Sequence, residues 1–598
     1  MAQPRPRVFC LTASGYEVAR QVAEAVDGEV RLSASAQVDT ACARYSNLAT
    51  AMRSAFVGGH AVIGVCAAAI VVRILAPALS RKKLDPPVLC IPEDGNSVIP
   101  LLGGHQGANR MAMVLGDMLG AHKAISTASD LRLGVALDCP PQGWRLHNPS
   151  DIKDTTLAIL GGAPTVVAGS AEWLAKLGDL PNVTQIDGTE SDGLIFIQAD
   201  NLPPLVYCKR HHTLGIGCVR GCSFESLREL VAATLDKAGI AWASIAGVYS
   251  VDLKSDEPAI HELASELGVP ARFFESQRLE AERVRLSRPS EIVFREVGCH
   301  GVCEGACLAA AGPEGELIVP KTKSAVATCA VARMGDAPGD RGVSRGRLDI
   351  IGVGPGDARW RTPQAILAIA RADLIAGYSG YLDLIADLLD ENANTVAFSL
   401  GQEIDRCRFA LEQAALGRRV ALICSGDSGI YAMAPLVLEL LSLNANQGGV
   451  SAAARRVKVV CVPGVSAMQA ASAQAGAMLG HDFCAISLSD LLTPRDLIVK
   501  RIVAAARGDF VVAFYNPASV RRRELLPKAI DILLEHRTAS TPVVVARNVG
   551  RSDELVNGRT LTDFDPAEVD MSTIVIVGNS RSTMLSLNER PSKPGQRL

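Results

Sequence analysis

The run Leu348-Asp-Ile-Ile-Gly352-Val-Gly354-Pro355-Gly356-Asp357 decides how the C-terminal half of this chain is read. Its apolar start has the length and β-branched content of a buried strand, and the glycines end it abruptly. The same unit recurs downstream. Arg419 to Cys424 runs into Cys424-Ser-Gly426-Asp427-Ser428-Gly-Ile430-Tyr431, and Val457 to Val462 into Val462-Pro-Gly464-Val-Ser466-Ala467. Asp509 to Tyr515 leads to Tyr515-Asn516-Pro517-Ala-Ser519, and further strands are predicted at Pro542 to Ala546 and Thr573 to Val577. Helical patterns separate these strands, so the pattern predicts an α/β domain with a largely parallel sheet. Ligands of such sheets sit at the carboxyl ends of the strands. One small-residue loop is explained as a capped strand-to-helix turn; four on one side of a sheet point to a shared pocket. The first loop is a poor dinucleotide fingerprint, because the third glycine of G-x-G-x-x-G falls on Asp357 and Pro355 lacks an N–H.

Working outward, the segment from Arg333 to Gly346 is rich in Gly, Asp, Pro and Arg and has no strand or helix period. It reads as a solvated linker, 334–346. Behind it lie a domain at 347–585 and a tail at 586–598. Ahead of it, three smaller α/β units are expected at 1–145, 146–211 and 212–333, a total that suits 598 residues. Their predicted strands are Val8 to Leu11, Ala61 to Val65, Val88 to Ile91, Thr156 to Leu160, Thr165 to Ala168, Leu194 to Gln198 and Ser244 to Ser250. The fold class is therefore α/β multidomain. Charged residues make up 21% and the net charge is -3. With no basic stripe, nucleic acid and anionic membranes are not supported as partners. The most apolar stretch, Ala61 to Val72, is shorter than the ~18–20 residues of a membrane span. With no secretory leader pattern at the start, a cytoplasmic protein with reduced cysteines is expected.

The ordered motifs G-x-G-P-G-D, S-G-D-x-G-I-Y, V-P-G-V-S-A, Y-N-P and Ala546-Arg547-Asn548-Val549-Gly550-Arg551 together resemble the tetrapyrrole methyltransferase class. Within it, His481-Asp482-Phe483 and Ile486-Ser-Leu-Ser-Asp490-Leu-Leu-Thr493-Pro494 are similar to the precorrin-3B C(17)-methyltransferase family. The likeness spans about 347 to 580 and departs at Ser428, where proline is usual, and at Arg495, where an aromatic residue is expected. It implies a two-lobed fold, a homodimer, and S-adenosylmethionine bound in the cleft between lobes. The cofactor residues it implies are Pro355, Gly426, Asp427, Ile430, Tyr431, Ser466, Ala467 and Asn516. Asp490, Thr493 and Arg547 would touch the corrin precursor. The ring contraction that accompanies methylation in the family moves protons, which makes His481 and Asp482 acid–base candidates.

A second resemblance covers roughly 1 to 333. The segments Gly64 to Leu75, Asp85-Pro-Pro87 and Ile99 to Asn109, with Gly215-Ile-Gly-Cys-Val-Arg220-Gly221, Lys254, Asp256-Glu-Pro-Ala-Ile260 and Pro320-Lys321-Thr-Lys323, are similar to the cobalt-precorrin-5A hydrolase family. That implies opening of a lactone with release of acetaldehyde. His105, between glycines, would be the base, and Lys254, Lys321 and Lys323 would hold substrate carboxylates. The alternative is a non-catalytic corrinoid-binding module. The spacing Cys299-x3-Cys303-x3-Cys307 is the remaining feature. On a helix it forms a stripe that does not converge on a metal unless Gly301 and Gly305 break it, so packing is the preferred reading and no metal is expected. Whether the substrate carries cobalt stays open at this level.

Overall fold

The computed structural model describes residues 5–584 except 80–84, 128–131, 142, 187–192, 336–340, 390–392, 492, 520–522 and the side chain of His105. Its described strands form five sheets. The first has seven strands in the order Ala43–Tyr45, Glu29–Ser33, Arg7–Cys10, Val62–Val65, Val88–Ile91, Ser97–Leu102 and His122–Lys123. Its first five strands are parallel. Val62–Val65 and Val88–Ile91 are wholly buried, as the middle of a helix-covered parallel sheet requires.

The second sheet, Val183–Ile186, Thr165–Ala168, Leu194–Ala199, Leu205–Lys209 and Trp144–Leu146, is mostly antiparallel. The strand expected at Thr156 to Leu160 is instead the end of the helix Ile152–Leu160. The Thr156 hydroxyl donates to the Ile152 carbonyl one turn back at 2.6 Å, which accommodates a β-branched residue in a helix.

The third sheet runs Ala271–Phe274, Ile245–Val251, His212–Cys218, Ala327–Arg333 and Glu316–Lys323. The helix Val302–Ala311 lies directly on it: a Cβ at Gly215 would sit 1.9 Å from the Cys303 carbonyl oxygen, so only glycine permits this approach. Cys303 and Cys307 lie on that helix and pack with Leu286 and Leu308, while Cys299 packs elsewhere, with Tyr249 and Phe274. Among the described residues no cluster of His, Cys, Asp and Glu is arranged to hold a metal, and all sixteen cysteines are free thiols.

The C-terminal part contains two sheets, one per lobe, as the two-lobed fold implies; the strand pattern alone suggested a single largely parallel sheet. The first lobe is all parallel, in the order Thr395–Phe398, Leu374–Tyr378, Arg419–Cys424, Arg347–Gly352 and Lys458–Val462. The second lobe is mixed: Phe483–Ser487 and Val511–Tyr515 are parallel, whereas Thr573–Val577, Pro542–Arg547 and Leu555–Thr560 join by antiparallel pairs. Apolar content alone does not distinguish the two, because both sheets are covered on their faces.

The segment after Arg333 is docked at its distal end. Val343 and Phe273 exchange both backbone hydrogen bonds, and the Arg345 guanidinium donates to the Arg456 carbonyl at 2.8 Å. The expected solvated linker is thus partly ordered by contacts; its residues 336–340 lie outside the described ones. The first lobe also touches the N-terminal unit, where a Cβ on Gly58 would come within 3.2 Å of the Ala370 carbonyl oxygen. Asp252 and Arg456 pair at 3.5 Å between the third unit and that lobe. Among the described residues no helix is long and apolar enough to cross a membrane.

Candidate active site

The loops leaving the three neighbouring strands Arg419–Cys424, Arg347–Gly352 and Lys458–Val462 converge at their carboxyl ends. Gly354 N–H donates to the Gly426 carbonyl at 3.2 Å, and Gly426 N–H returns to Gly354 at 2.8 Å. The third loop comes closer still: a Cβ on Gly464 would lie 2.2 Å from the Gly426 oxygen and 2.6 Å from that of Gly352. Glycine there is a packing requirement, since backbone cannot yield as a flexible side chain can. The Asp427 carboxylate accepts from Gly429 N–H at 2.8 Å and Gly464 N–H at 3.1 Å, clamping the second loop to the third. Ser428, buried, donates to the Val462 carbonyl at 3.1 Å. The residue that departs from the family pattern therefore adds a tie between the same two loops. Arg495, the other departure, is half exposed and pairs with Glu524.

The second lobe closes the other wall. Tyr431 donates its hydroxyl to the Ala485 carbonyl at 2.8 Å and packs against Tyr515, with ring centroids 5.1 Å apart. The Tyr515 hydroxyl accepts from Met468 N–H at 3.2 Å, and Asn516 Nδ2 donates to Ser487 Oγ at 3.1 Å. Ser466 caps the helix Ala467–Ala475 in a reciprocal arrangement with Gln469. Tyr431, Asn516 and Asn548 have φ of 50°, 51° and 50°, three of the six non-glycine positive values among the described residues. Left-handed backbone costs energy at such residues and gathers where geometry serves function.

All eight residues that the resemblance assigned to the cofactor, Pro355, Gly426, Asp427, Ile430, Tyr431, Ser466, Ala467 and Asn516, line one cleft between the lobes, about 220 Å³ in volume. Sequence reasoning missed Tyr381, Asn548, Arg551 and Thr573 in the same wall. Burial holds the Tyr381 and Tyr515 phenols above their usual range, so both stay neutral donors or acceptors. Arg551 is the cation of this wall; Arg547, the expected substrate residue, ends its strand without joining the cleft lining. The motif thus places Arg551 in the cleft wall and Arg547 at the end of its strand, outside that lining.

His481 and Asp482 are exposed at the start of Phe483–Ser487, while Asn516 and Tyr515 lie at the other end of the parallel neighbour. Five residues at about 3.3 Å each separate them from that end. The pair therefore stands a strand's length from Tyr515 and Asn516. Asp490 and Thr493 follow the carboxyl end of the same strand, on the cleft side, but do not line the cavity.

In the third unit, the motifs near 220 and 256 come together at the carboxyl ends of His212–Cys218 and Ile245–Val251. Arg220 reaches Asp256 at 2.6 Å and the Leu253 carbonyl at 2.8 Å. Glu257, fully buried, accepts from Gly221 N–H at 2.9 Å, and its second oxygen faces Lys254 Nζ at 3.6 Å and Arg220 at 3.7 Å. Glu257 was not singled out from sequence, although its place just ahead of a helix-starting proline marks it as a turn residue. Lys323 pairs in register with Thr328 at this same end of the sheet, two strands beyond Ile245–Val251's neighbour, and Lys321 gives its backbone N–H to buried Glu304. His105 occupies the turn Gly104–Gln106 of the N-terminal unit. Its side chain lies outside the described ones.

Residues 347–565 match the family described as Tetrapyrrole (Corrin/Porphyrin) Methylases. Residues 50–130 match Cobalamin synthesis G N-terminal, and 212–332 match Cobalamin synthesis G C-terminus. The chain is 45% identical over 232 residues to the "Probable cobalt-factor III C(17)-methyltransferase" of Salmonella typhimurium, covering 39% of this chain and 92% of that protein. It is 39% identical over 246 residues to the precorrin-3B C(17)-methyltransferase of a Sinorhizobium species, covering 41% and 94%. A crystal structure of the methyltransferase CobJ aligns at 38% identity over 40% of this chain and 97% of that one, with a TM-score of 0.38. With its glycine loops, clamped carboxylate and cleft in place, the chain belongs to the tetrapyrrole methylase family and is a methyltransferase of cobalamin biosynthesis that carries both cobalamin synthesis G segments ahead of its methylase part.

Proposed function

We propose that the C-terminal part methylates precorrin-3B, or its cobalt-containing counterpart, at carbon 17 with ring contraction, using S-adenosylmethionine. The N-terminal half would open the lactone so formed, at a later stage, with release of acetaldehyde. The observation that carries the first assignment is the convergence of eight motif residues on one cleft. The donor set fits the cofactor: glycine turns offer backbone groups, the Tyr431 and Tyr515 rings offer apolar faces, and Asp427 is anionic beside them. The enclosed volume is below the ~300 Å³ of a typical small-molecule site, so loading requires the lobes to part or the ligand to stay partly open to solvent. When bound, the cofactor supplies an activated methyl group on sulfur. The chain's own task is positioning. Asp427 fixes two amides, Ser466 and Gln469 fix the helix start, and Arg551 gives the macrocycle's carboxylates a cation.

For the N-terminal half, the support is the rim at Arg220 and Lys254. Asp256 and Glu257 hold both cations in place, where they can receive substrate carboxylates. A homodimer through the methyltransferase part belongs to the same proposal. The test is mass spectrometry of full-length protein incubated with S-adenosylmethionine and precorrin-3B or its cobalt form. Acetaldehyde is assayed after adding the next C-methyltransferase of the route. One methyl gained on a ring-contracted product is expected, followed by acetaldehyde. No gain with either substrate overturns the first assignment; methyl gain with no acetaldehyde assigns the N-terminal half a binding role.

A further inference from the structure

A second and larger cavity, about 1280 Å³, lies where the N-terminal unit, the third unit and the first methyltransferase lobe meet. It opens at the amino ends of the lobe's strands, the edge opposite the cofactor cleft. Arg347, Arg419 and Lys458 are in-register partners on three adjacent parallel strands, so their Cα atoms stand side by side about 4.8 Å apart. Strands of this length put this row roughly 17 Å from the loops at the other edge. Arg371 stands beside the row. Arg7 and Arg31 face it from the N-terminal unit, and Arg272 and Arg345 complete the wall.

Against these eight cations, the described lining holds two carboxylates, Glu262 and Asp373. Asp373 is engaged by the Arg419 backbone N–H at 2.8 Å. Behind the wall, Glu29 pairs with Arg7 and Arg31, and Asp349 takes Arg347 through both oxygens. Among the described residues, Arg272, Arg345, Arg371 and Lys458 of this wall pair with no carboxylate. Burial pulls the Arg345 and Arg371 guanidiniums below their usual range, and Arg371 is lowered further by facing Arg419 and Arg347. Confined like charges repel, and a fold retains them most readily where an anion relieves the repulsion.

We propose that this chamber binds a polycarboxylated ligand of macrocycle size at a site separate from the methyl-transfer cleft. The volume exceeds the ~300–1000 Å³ of ordinary ligand sites. The cations come from three sides, which suits carboxylates radiating from a broad plate better than one compact phosphate. The inference rests on the tetrapyrrole reading only for which molecule brings the carboxylates.

The test uses full-length protein with saturating S-adenosylhomocysteine and titrates uroporphyrin III, with eight carboxylates, by fluorescence quenching. Mesoporphyrin, with two, and ATP serve as comparisons. The double variant Arg371→Ala/Lys458→Ala should weaken uroporphyrin binding at least about tenfold, as loss of one or more charge-assisted contacts implies. Arg272→Glu, from another wall, should do the same, and circular dichroism confirms that each variant is folded. Methyl transfer by these folded variants should continue. Equal affinity in wild type and both variants overturns the proposal. So does displacement by ATP at equal concentration, which would make the chamber a phosphate site. Loss of binding in Gly464→Ala alone would assign the probe to the cleft and also overturn it. Because the readout is binding, failure of methyl transfer by the wild type would strike the functional reading and leave this one standing.

Discussion

The cleft between the lobes and the rim of the third unit fix their groups in opposite ways. The cleft is made of backbone: glycines 352, 354, 426 and 464 bring three loops into van der Waals contact, and the Asp427 carboxylate locks amides in place. The rim is made of side chains: Arg220 and Lys254 are aimed by Asp256 and buried Glu257. Transfer of an already activated group needs orientation more than acid–base help, and rigid turns give that. The lactone opening proposed for the N-terminal half would require charge handling, and movable cations suit that. The difference predicts that the two regions fail separately.

The largest effect is expected at Gly464. Alanine there drives a methyl group into two carbonyl oxygens, so Gly464→Ala should destabilise the first lobe by about 3 kcal/mol. Methyl transfer should fall more than about a hundredfold, since small misplacements cost that much. Acetaldehyde release from pre-methylated substrate should persist, as measured by a coupled dehydrogenase assay. Glu257→Gln tests the converse. It leaves an acceptor for Gly221 but strips Lys254 of its counter-charge, while Arg220 keeps Asp256, and acetaldehyde release should drop about thirtyfold while methyl transfer is unchanged. If both activities fell together in either variant, the two regions would not be independent.

A smaller change is expected for Asp427→Asn. The amide keeps an oxygen for one backbone N–H but not both, and S-adenosylhomocysteine should bind about tenfold more weakly by calorimetry. Smallest is a pH effect confined to the third unit. The His300 imidazole lies 2.9 Å from Glu280 and 3.2 Å from Glu291, and the hydrogen bond to Glu280 raises it above the usual histidine range. A raised folded-state value gives stability that is complete below the free value of about 6.5 and is lost as pH rises through the folded value. Amide-exchange protection of the helix Val302–Ala311 should therefore decline as pH rises above the free histidine value of about 6.5 in the wild type. In His300→Gln it should be flat; equal slopes would remove the pair from the account.

Much of the cleft was legible in the sequence because its rules are local. A glycine in left-handed backbone, an N-cap serine and a strand-ending turn each leave a mark within a few residues, as Gly426, Ser466 and Asn516 did. What was not legible is set by the third dimension. Arg551 and Arg547 share one motif, and only the turn after Pro542–Arg547 decides which of them faces the cavity. His481 and Asp482 precede the strand Phe483–Ser487, at the end away from Tyr515 and Asn516, which spacing alone does not reveal. Thr156 to Leu160 is short and apolar enough to be strand or helix, and packing chose the helix. The basic chamber had no sequence signature, because Arg7, Arg272, Arg371 and Lys458 come from segments far apart in the chain.

The most direct measurement is calorimetric titration of the full chain with S-adenosylhomocysteine, in wild type, Gly464→Ala and Glu257→Gln. The account predicts one site per chain in the wild type, no binding in Gly464→Ala and wild-type affinity in Glu257→Gln. Absence of binding in the wild type, or equal loss in both variants, would contradict a cofactor cleft built from the backbone of these loops.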